Sequence, residues 1–244
     1  MKTSVLIIAH NEETHIEACI RSVLDQTQRP DEVVLVCHNC TDRTERIARQ
    51  YPITIIPFTG EQGIIYARIE GIAHVSGDII LCTDGDSFVA RNWIEVMSHT
   101  LTQGNVFVGS WMKFKGTLFG WFANMLNKRR SVKAKKLERM IWGPSMAFWG
   151  KDKQFVLSVF KKSIELSKKL NLSRNPDDYW LALFMKQKGR LGMTNKTYVV
   201  QATKEKTSQE AFNRTLENVS DAEKMERYVQ ELPDLLHTLQ IKEN

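Results

Sequence analysis

Asp78-Ile79-Ile80-Leu81-Cys82-Thr83-Asp84-Gly85-Asp86-Ser87 decides the reading of this chain. A short apolar run, a buried strand by its pattern, ends in two carboxylates with a glycine between them. Carboxylates near a core are costly unless something cationic neutralises them. Oxygen ligands at this spacing suit a hard ion such as Mg²⁺ or Mn²⁺. Metals held in this way commonly carry phosphate, so a phosphate-bearing substrate is expected. The same residues also make a tight Asp-Gly turn, which needs no metal.

The segments before it repeat one arrangement. Ser4 to Ala9 is a fully apolar strand pattern, followed by a polar loop, His10-Asn11-Glu12-Glu13. A helix follows with Ile16, Cys19, Ile20, Val23 and Leu24 on one face. Glu32 to Cys37 is a second strand, Asp42 to Gln50 a second helix and Ile53 to Pro57 a third strand. Gln62 to Val75 reads as a third helix, ahead of the acidic strand. Arg91 to Leu101 is helical, and Asn105 to Ser110 is a fifth strand. Strands and helices alternating with short links imply a parallel sheet with right-handed crossovers and helices on both faces. In such sheets ligands bind beyond the carboxyl ends of the strands. His10-Asn11-Glu12, His38-Asn39-Cys40 and Asp84-Gly85-Asp86 all fall there, so three polar segments are expected on one rim.

The second half is less regular. Gly143 to Trp149 reads as a loop entering a strand. Pro176-Asp177-Asp178 opens a helix through Trp180, Leu183, Phe184 and Gln187, stopped by Gly189, and Met193 to Gln201 forms a last strand. Glu205 to His237 is helical in composition.

The chain has 244 residues, 42% of them apolar and 25% charged, as in an ordinary soluble domain. No apolar run approaches the ~20 residues that cross a bilayer, and the N-terminus lacks a cleavage-site pattern. Cys19, Cys37, Cys40 and Cys82 have no framework spacing, which favours a reducing cytoplasm. Cys37 and Cys40 form a Cys-x-x-Cys, open to a redox reading that leaves the acidic motifs unexplained. Zinc would need a second ligand pair at matching spacing. The net charge is +6, compatible with nucleic acid, anionic lipid or polyphosphate ligands; of these, nucleic acid is the least expected partner. The basic residues concentrate between Lys113 and Arg139. There Leu118, Phe119, Trp121 and Phe122 precede Lys128-Arg129-Arg130. The 118–139 segment reads either as a peripheral contact with the membrane's inner face or as a core helix with a solvated basic loop.

With these residues in place, the chain resembles glycosyltransferase family 2, which has the GT-A fold. Val5 to Glu13 and Val33 to Thr44 resemble its opening, and Tyr66 to Ile72 its helix before the acidic strand. Asp84-Gly85-Asp86 matches its Asp-x-Asp motif; Asp177-Asp178-Tyr179-Trp180 resembles its acidic pair. The resemblance covers roughly Lys2 to Val200. It implies an α/β, GT-A-type, Rossmann-like and mostly parallel sheet flanked by helices, with a helical C-terminal extension. Residues 1–110 would form the nucleotide-sugar-binding half, 111–204 the acceptor-binding half and 205–244 the tail.

The implied activity moves a sugar from a nucleotide-diphosphate donor to a hydroxyl of a saccharide or lipid-linked acceptor, with inversion. Asp86 would ligate Mn²⁺ or Mg²⁺, and Asp84 the ribose or a metal-bound water. Asp178 would be the base that activates the acceptor, since a hydroxyl is a poor nucleophile until its proton is taken. Both Asp177 and Asp178 are also good first-turn residues. His10 and Glu12 would meet the nucleobase and ribose, although Asn11 also suits an N-cap. His38 stands where the family usually has an aspartate that reads the base. Asp42 would touch the ligand or cap the second helix, with Glu45 in the capping-box position. Arg68 would pair with the diphosphate or with an acid of the site. Trp142 and Gly143 resemble the acceptor-side loop, where a tryptophan face suits a sugar ring. The late histidine of many relatives has no counterpart near Val199 to Thr203.

Two other readings stand beside this one. Asp84-Gly85-Asp86 also resembles the nucleophile loop of haloacid-dehalogenase-type phosphatases, although that loop normally follows the first strand. A non-catalytic binding protein on a decayed transferase fold is the other.

Overall fold

The computed structural model describes residues 1–115, 141, 143–173, 175–202, 221, 223–225 and 227–228. The segment 118–139 and Trp142 lie outside these, as does most of the tail. In chain order the elements are β1 (Thr3–Ala9), α1 (Ile16–Leu24), β2 (Glu32–His38), α2 (Thr44–Ala48), β3 (Thr54–Phe58), α3 (Ile64–His74) and β4 (Ile79–Asp84). There follow β5 (Ser87–Val89), α4 (Trp93–Thr102), β6 (Asn105–Lys115), β7 (Met146–Trp149), α5 (Lys153–Lys169), α6 (Asp177–Lys188) and β8 (Arg190–Ala202).

Eight strands form one mixed sheet in the order β3-β2-β1-β4-β7-β6-β8-β5. β1 pairs in parallel with both β2 and β4, and β2 with β3. This is the parallel block expected from the alternating elements. β7 then inserts antiparallel between β4 and β6. β6 and β8 are parallel, and the short β5 closes the edge antiparallel to β8.

The strand pattern explains why both faces are covered. Side chains alternate across a strand, so an unbroken apolar run feeds two cores. Leu6, Ile8, Val34, Val36, Ile80 and Cys82 join a core with Ile72, Phe160, Trp180 and Phe184, from α3, α5 and α6. Val5, Ile7, Leu35 and Leu81 join the other, with Ile16, Ile20, Trp93 and Met97 from α1 and α4. The polar rim at the carboxyl ends therefore rests on a sheet fixed from both sides.

Three features differ from the sequence expectation. β6 runs on past Ser110 to Lys115, through a register shift at Ser110/Trp111. β5 was not expected, because three residues carry too little periodicity to register. α5 was also not expected, although Phe155, Val156, Val159, Phe160 and Leu166 are buried along one stripe. Ser163 and Ser167 lie on that same buried stripe and dilute its apolar signal.

Candidate active site

The carboxyl ends of β1, β2 and β4 enclose a cleft of ≈ 320 Å³. His10, Glu12, His38, Asp84 and Asp86 all line it, with Gln62, Gly63 and Ile64 at the start of α3. Sequence reasoning placed these segments on one rim, and the sheet brings them there.

The acidic loop is seated on β1. Gly85 donates its N–H to Ile8 O at 2.7 Å. A Cβ on Gly85 would lie 2.9 Å from Ala9 Cβ and 3.2 Å from Glu12 Cγ, so only glycine fits. Asp86 is 5% exposed. Its Oδ1 accepts from Ser87 Oγ at 3.3 Å and, at the outer limit of a hydrogen bond, from Gln201 Nε2 at 3.5 Å. Gln201 comes from the very stretch in which no histidine was found. No local signal points to it, because β8 reaches the loop only through sheet pairing.

Asp84 is half-buried at the end of β4 and titrates high, at about 6. Burial raises it, Arg68 opposes, and the neighbouring Asp86 carboxylate adds to the rise. Arg68 is the hinge of the site. This guanidinium is 2% exposed and reaches two acids. Nη2 donates to Asp84 Oδ1 at 3.0 Å, and Nη1 to Asp177 Oδ2 at 2.5 Å. Asp177 lies 109 positions further along the chain. Burial works against the charge on Arg68, but Asp177, Asp84 and Asp178 more than offset it, so its pKa rises. The sequence offered Arg68 a diphosphate or an acid as partner; the structure gives it two acids.

Asp178 follows in the first turn of α6. Its Oδ2 accepts the Gly143 N–H at 3.0 Å, and its Oδ1 the Tyr179 N–H at 2.8 Å. Asp178 is half-buried, so part of its surface stays accessible. Burial pushes its pKa up, the Asp177 charge pushes the same way, and Arg68 and the two N–H donors pull it down. Gly143 packs directly on the guanidinium: a Cβ there would lie 2.1 Å from Arg68 Nη2. Asp84, Arg68, Asp177, Asp178 and Gly143 thus form one contiguous group. Asp178 does not line the cleft itself, but Arg68 and Gly143 connect it to the cleft floor.

At the other end of the cleft, His38 is 4% exposed and stacks at 5.4 Å from Phe58. Asn39, held at φ 49, sets its Nδ2 3.1 Å from His38 Nε2, which then accepts. Burial lowers the His38 pKa, so the ring is neutral. His10 Nδ1 donates to His38 O at 2.8 Å, tying the two loops together. Asp42 does not reach the cleft. It accepts from Thr44 N at 2.9 Å and from Glu13 N at 3.0 Å, while Thr44 Oγ1 accepts the Glu12 N–H at 2.7 Å. Asp42 therefore seats Glu12 through Thr44. Asn11 is not the cap of α1, which begins at Ile16. At φ 54 its Oδ1 instead accepts the Thr41 N–H at 2.8 Å. The four cysteines are free thiols, and no cluster of three or more metal-ligating side chains occurs among the described residues.

Comparison with known proteins shows the family and agrees with this fold, a GT-A glycosyltransferase architecture. The family model described as glycosyl transferase family 2 matches residues 4–164. Glycosyltransferase AglE of Haloferax volcanii is 34% identical over 99 residues, 38% of this chain and 33% of AglE. The glucosyl-dolichyl phosphate glucuronosyltransferase of the same organism is 25% identical over 132 residues, covering 49% of this chain and 42% of the relative. The chain spans a third or less of the length of several relatives it matches. Among solved structures, S. aureus TarS superposes with a TM-score of 0.60 at 15% identity, over 83% of this chain and 37% of TarS. Glucosyl-3-phosphoglycerate synthase of Mycobacterium tuberculosis, in complex with Mn²⁺, UDP and phosphoglyceric acid, gives 0.59 at 18% identity, over 86% of this chain and 73% of that one.

Proposed function

The chain belongs to glycosyl transferase family 2, and from that premise we propose that it moves a sugar from a nucleoside-diphosphate donor to an acceptor hydroxyl with inversion. One observation carries the reading. The Asp84–Arg68–Asp177 bridge holds the acidic loop beside the acid pair of α6.

Asp178 takes the proton of the acceptor hydroxyl. The acceptor oxygen then bonds to the anomeric carbon from the face opposite the diphosphate, and the bond to the diphosphate oxygen breaks. A carboxylate that titrates high is a stronger base than an ordinary one, which suits this task. The Gly143 and Tyr179 N–H groups fix the orientation of the Asp178 carboxylate, whose oxygens keep lone-pair capacity for the acceptor hydroxyl. His10, Glu12 and His38 hold the nucleoside across β1 and β2. The His38 ring, packed on Phe58 and with Nε2 accepting from Asn39, lines the wall that the nucleobase meets.

The residues present fit a hard divalent ion. Asp86, with Asp84 beside it, would supply the oxygen donors that hold such an ion at the cleft floor. Bound Mn²⁺ or Mg²⁺ supplies Lewis-acid stabilisation of the charge on the leaving diphosphate. Arg68 keeps the Asp84 carboxylate oriented for that ion or the ribose. The acceptor is a saccharide or a lipid-linked saccharide, met by the 111–204 half. Work at the cytoplasmic face of a membrane, with peripheral contact through 118–139, accords with such an acceptor.

A panel of nucleotide-sugars in a thermal-shift assay, with and without Mn²⁺, tests the proposal. A donor at 100-fold its Kd contributes about 2.7 kcal/mol of stabilisation. The reading fails if no member of the panel raises the melting temperature.

A further inference from the structure

The loop that delivers Asp177 and Asp178 is fastened by residues from the tail. Ser173 donates both its N–H, at 3.0 Å, and its hydroxyl, at 2.6 Å, to Asp221 Oδ2. Asn171 is left-handed at φ 47, and its carbonyl accepts Lys224 Nζ at 2.9 Å. Lys169 Nζ donates to Tyr228 Oη at 3.3 Å and stands 4.9 Å from the centre of that ring. Met225 is 6% exposed and enters the core that holds Phe160, Leu166 and Trp180. Residues 221, 224, 225 and 228 follow the i, i+3, i+4, i+7 spacing of one helix face, and the described residues there are helical. Asp221 itself is buried, at 6% exposure. A buried carboxylate with two charge-assisted bonds is a stiff anchor, and it grips the chain four residues before Asp177.

We propose that Asp221 is a positioning residue for sugar transfer: through Ser173 it fixes the approach to α6, and so the place of the Asp178 carboxylate against Gly143 and Arg68. This rests on the reading of Asp178 as the base. The donor cleft is built from β1, β2 and β4, which Asp221 does not touch, so its influence falls on the chemical step rather than on donor binding. Displacing a reacting group by ~1 Å costs on the order of 100-fold in rate.

The test compares wild type, Asp221→Ala, Asp221→Asn and Ser173→Ala in the full chain. Amide exchange at 177–181, UDP affinity with Mn²⁺, and turnover of UDP-glucose and UDP-GlcNAc are measured. Asp221→Ala is expected to speed exchange in the first turn of α6 and to lower kcat by about tenfold to 100-fold, with UDP affinity unchanged. Asp221→Asn, which keeps an acceptor for Ser173, recovers part of the loss. Ser173→Ala shows the same changes at smaller size, and it carries the test if Asp221→Ala does not fold. Unchanged exchange at 177–181 overturns the inference, as does a loss of UDP affinity equal to the loss of kcat. Faster exchange in a protein whose wild type turns over no sugar nucleotide supports the anchor and sinks the transferase reading instead.

Discussion

Replacing Gly143 with alanine is the sharpest probe of the site, because one methyl group would strike Arg68. The added Cβ would lie 2.1 Å from Nη2 and 2.6 Å from both Cζ and Nη1, where ordinary contact begins at 3.4 Å. The guanidinium would have to retreat by about 1.3 Å (3.4 minus 2.1), or the Gly143 backbone would have to lift away. Either movement stretches bonds. Arg68 holds Asp84 at 3.0 Å and Asp177 at 2.5 Å, and Gly143 N–H holds Asp178 at 3.0 Å. Overpacking of this kind costs about 1–3 kcal/mol, and full rupture of a buried ion pair about 3–5 kcal/mol. Partial rupture at about 2–3 kcal/mol corresponds to a fall in melting temperature of roughly 4–12 °C for a chain of this size. Displacement of the base adds a loss of about 100-fold in kcat. Differential scanning fluorimetry and steady-state transfer kinetics read the two effects. A Gly143→Ala protein with wild-type melting temperature and wild-type kcat would refute the packing of Gly143 on Arg68.

Asp178→Asn is expected to lower kcat by about 100-fold or more while leaving the donor-induced thermal shift intact; undiminished kcat would remove Asp178 as the base. The base acts only when ionised and its pKa is raised, so kcat/KM should climb with pH along a limb above the usual carboxylate range of about 4. The sign for stability is the reverse. A carboxyl with a raised folded-state pKa stabilises the fold below its unfolded pKa and loses that contribution as pH rises through the folded value. The melting temperature of Asp178→Asn relative to wild type should therefore rise as pH goes from acid to neutral, and a relative fall over that range would contradict the burial argument. Gly85→Ala pushes a methyl to 2.9 Å from Ala9 Cβ; it should cost about 1–3 kcal/mol and weaken the donor-induced shift, and an unchanged shift would speak against the seating of the acidic loop. His38→Ala should weaken donor binding without moving the pH profile, since His38 lines the cleft and Asp178 does not; equal affinity in calorimetry would remove it from the nucleoside site.

Much of this was legible in the sequence for local reasons. The apolar runs from Ser4 to Cys82 alternate with amphipathic helices at short spacing, and their order alone implies the parallel block and its polar rim. The acidic loop and the α6 acid pair could be named because each resembles a family motif in the right order; as an Asp-Gly turn and a helix first turn, either would be ordinary alone. Other parts were not legible. Asp42 looks like a ligand or a cap from its position; it takes the Thr44 N–H that opens α2, as a cap does, and what position does not show is that it also seats Glu12 through the Thr44 hydroxyl. Asn11 looks like an N-cap, yet it takes a left-handed backbone and bonds forward to Thr41.

Sequence alone determined which residues are apolar on both faces, which loops are polar, and the family to which the chain belongs. Tertiary structure decided that β7 lies between β4 and β6, that Gln201 meets Asp86, and that Arg68 joins Asp84 to Asp177. Those contacts span tens to more than a hundred positions, and no periodicity of a local window encodes them. They form because burying a guanidinium is tolerable only where acids converge on it, and that convergence exists only once the sheet has closed.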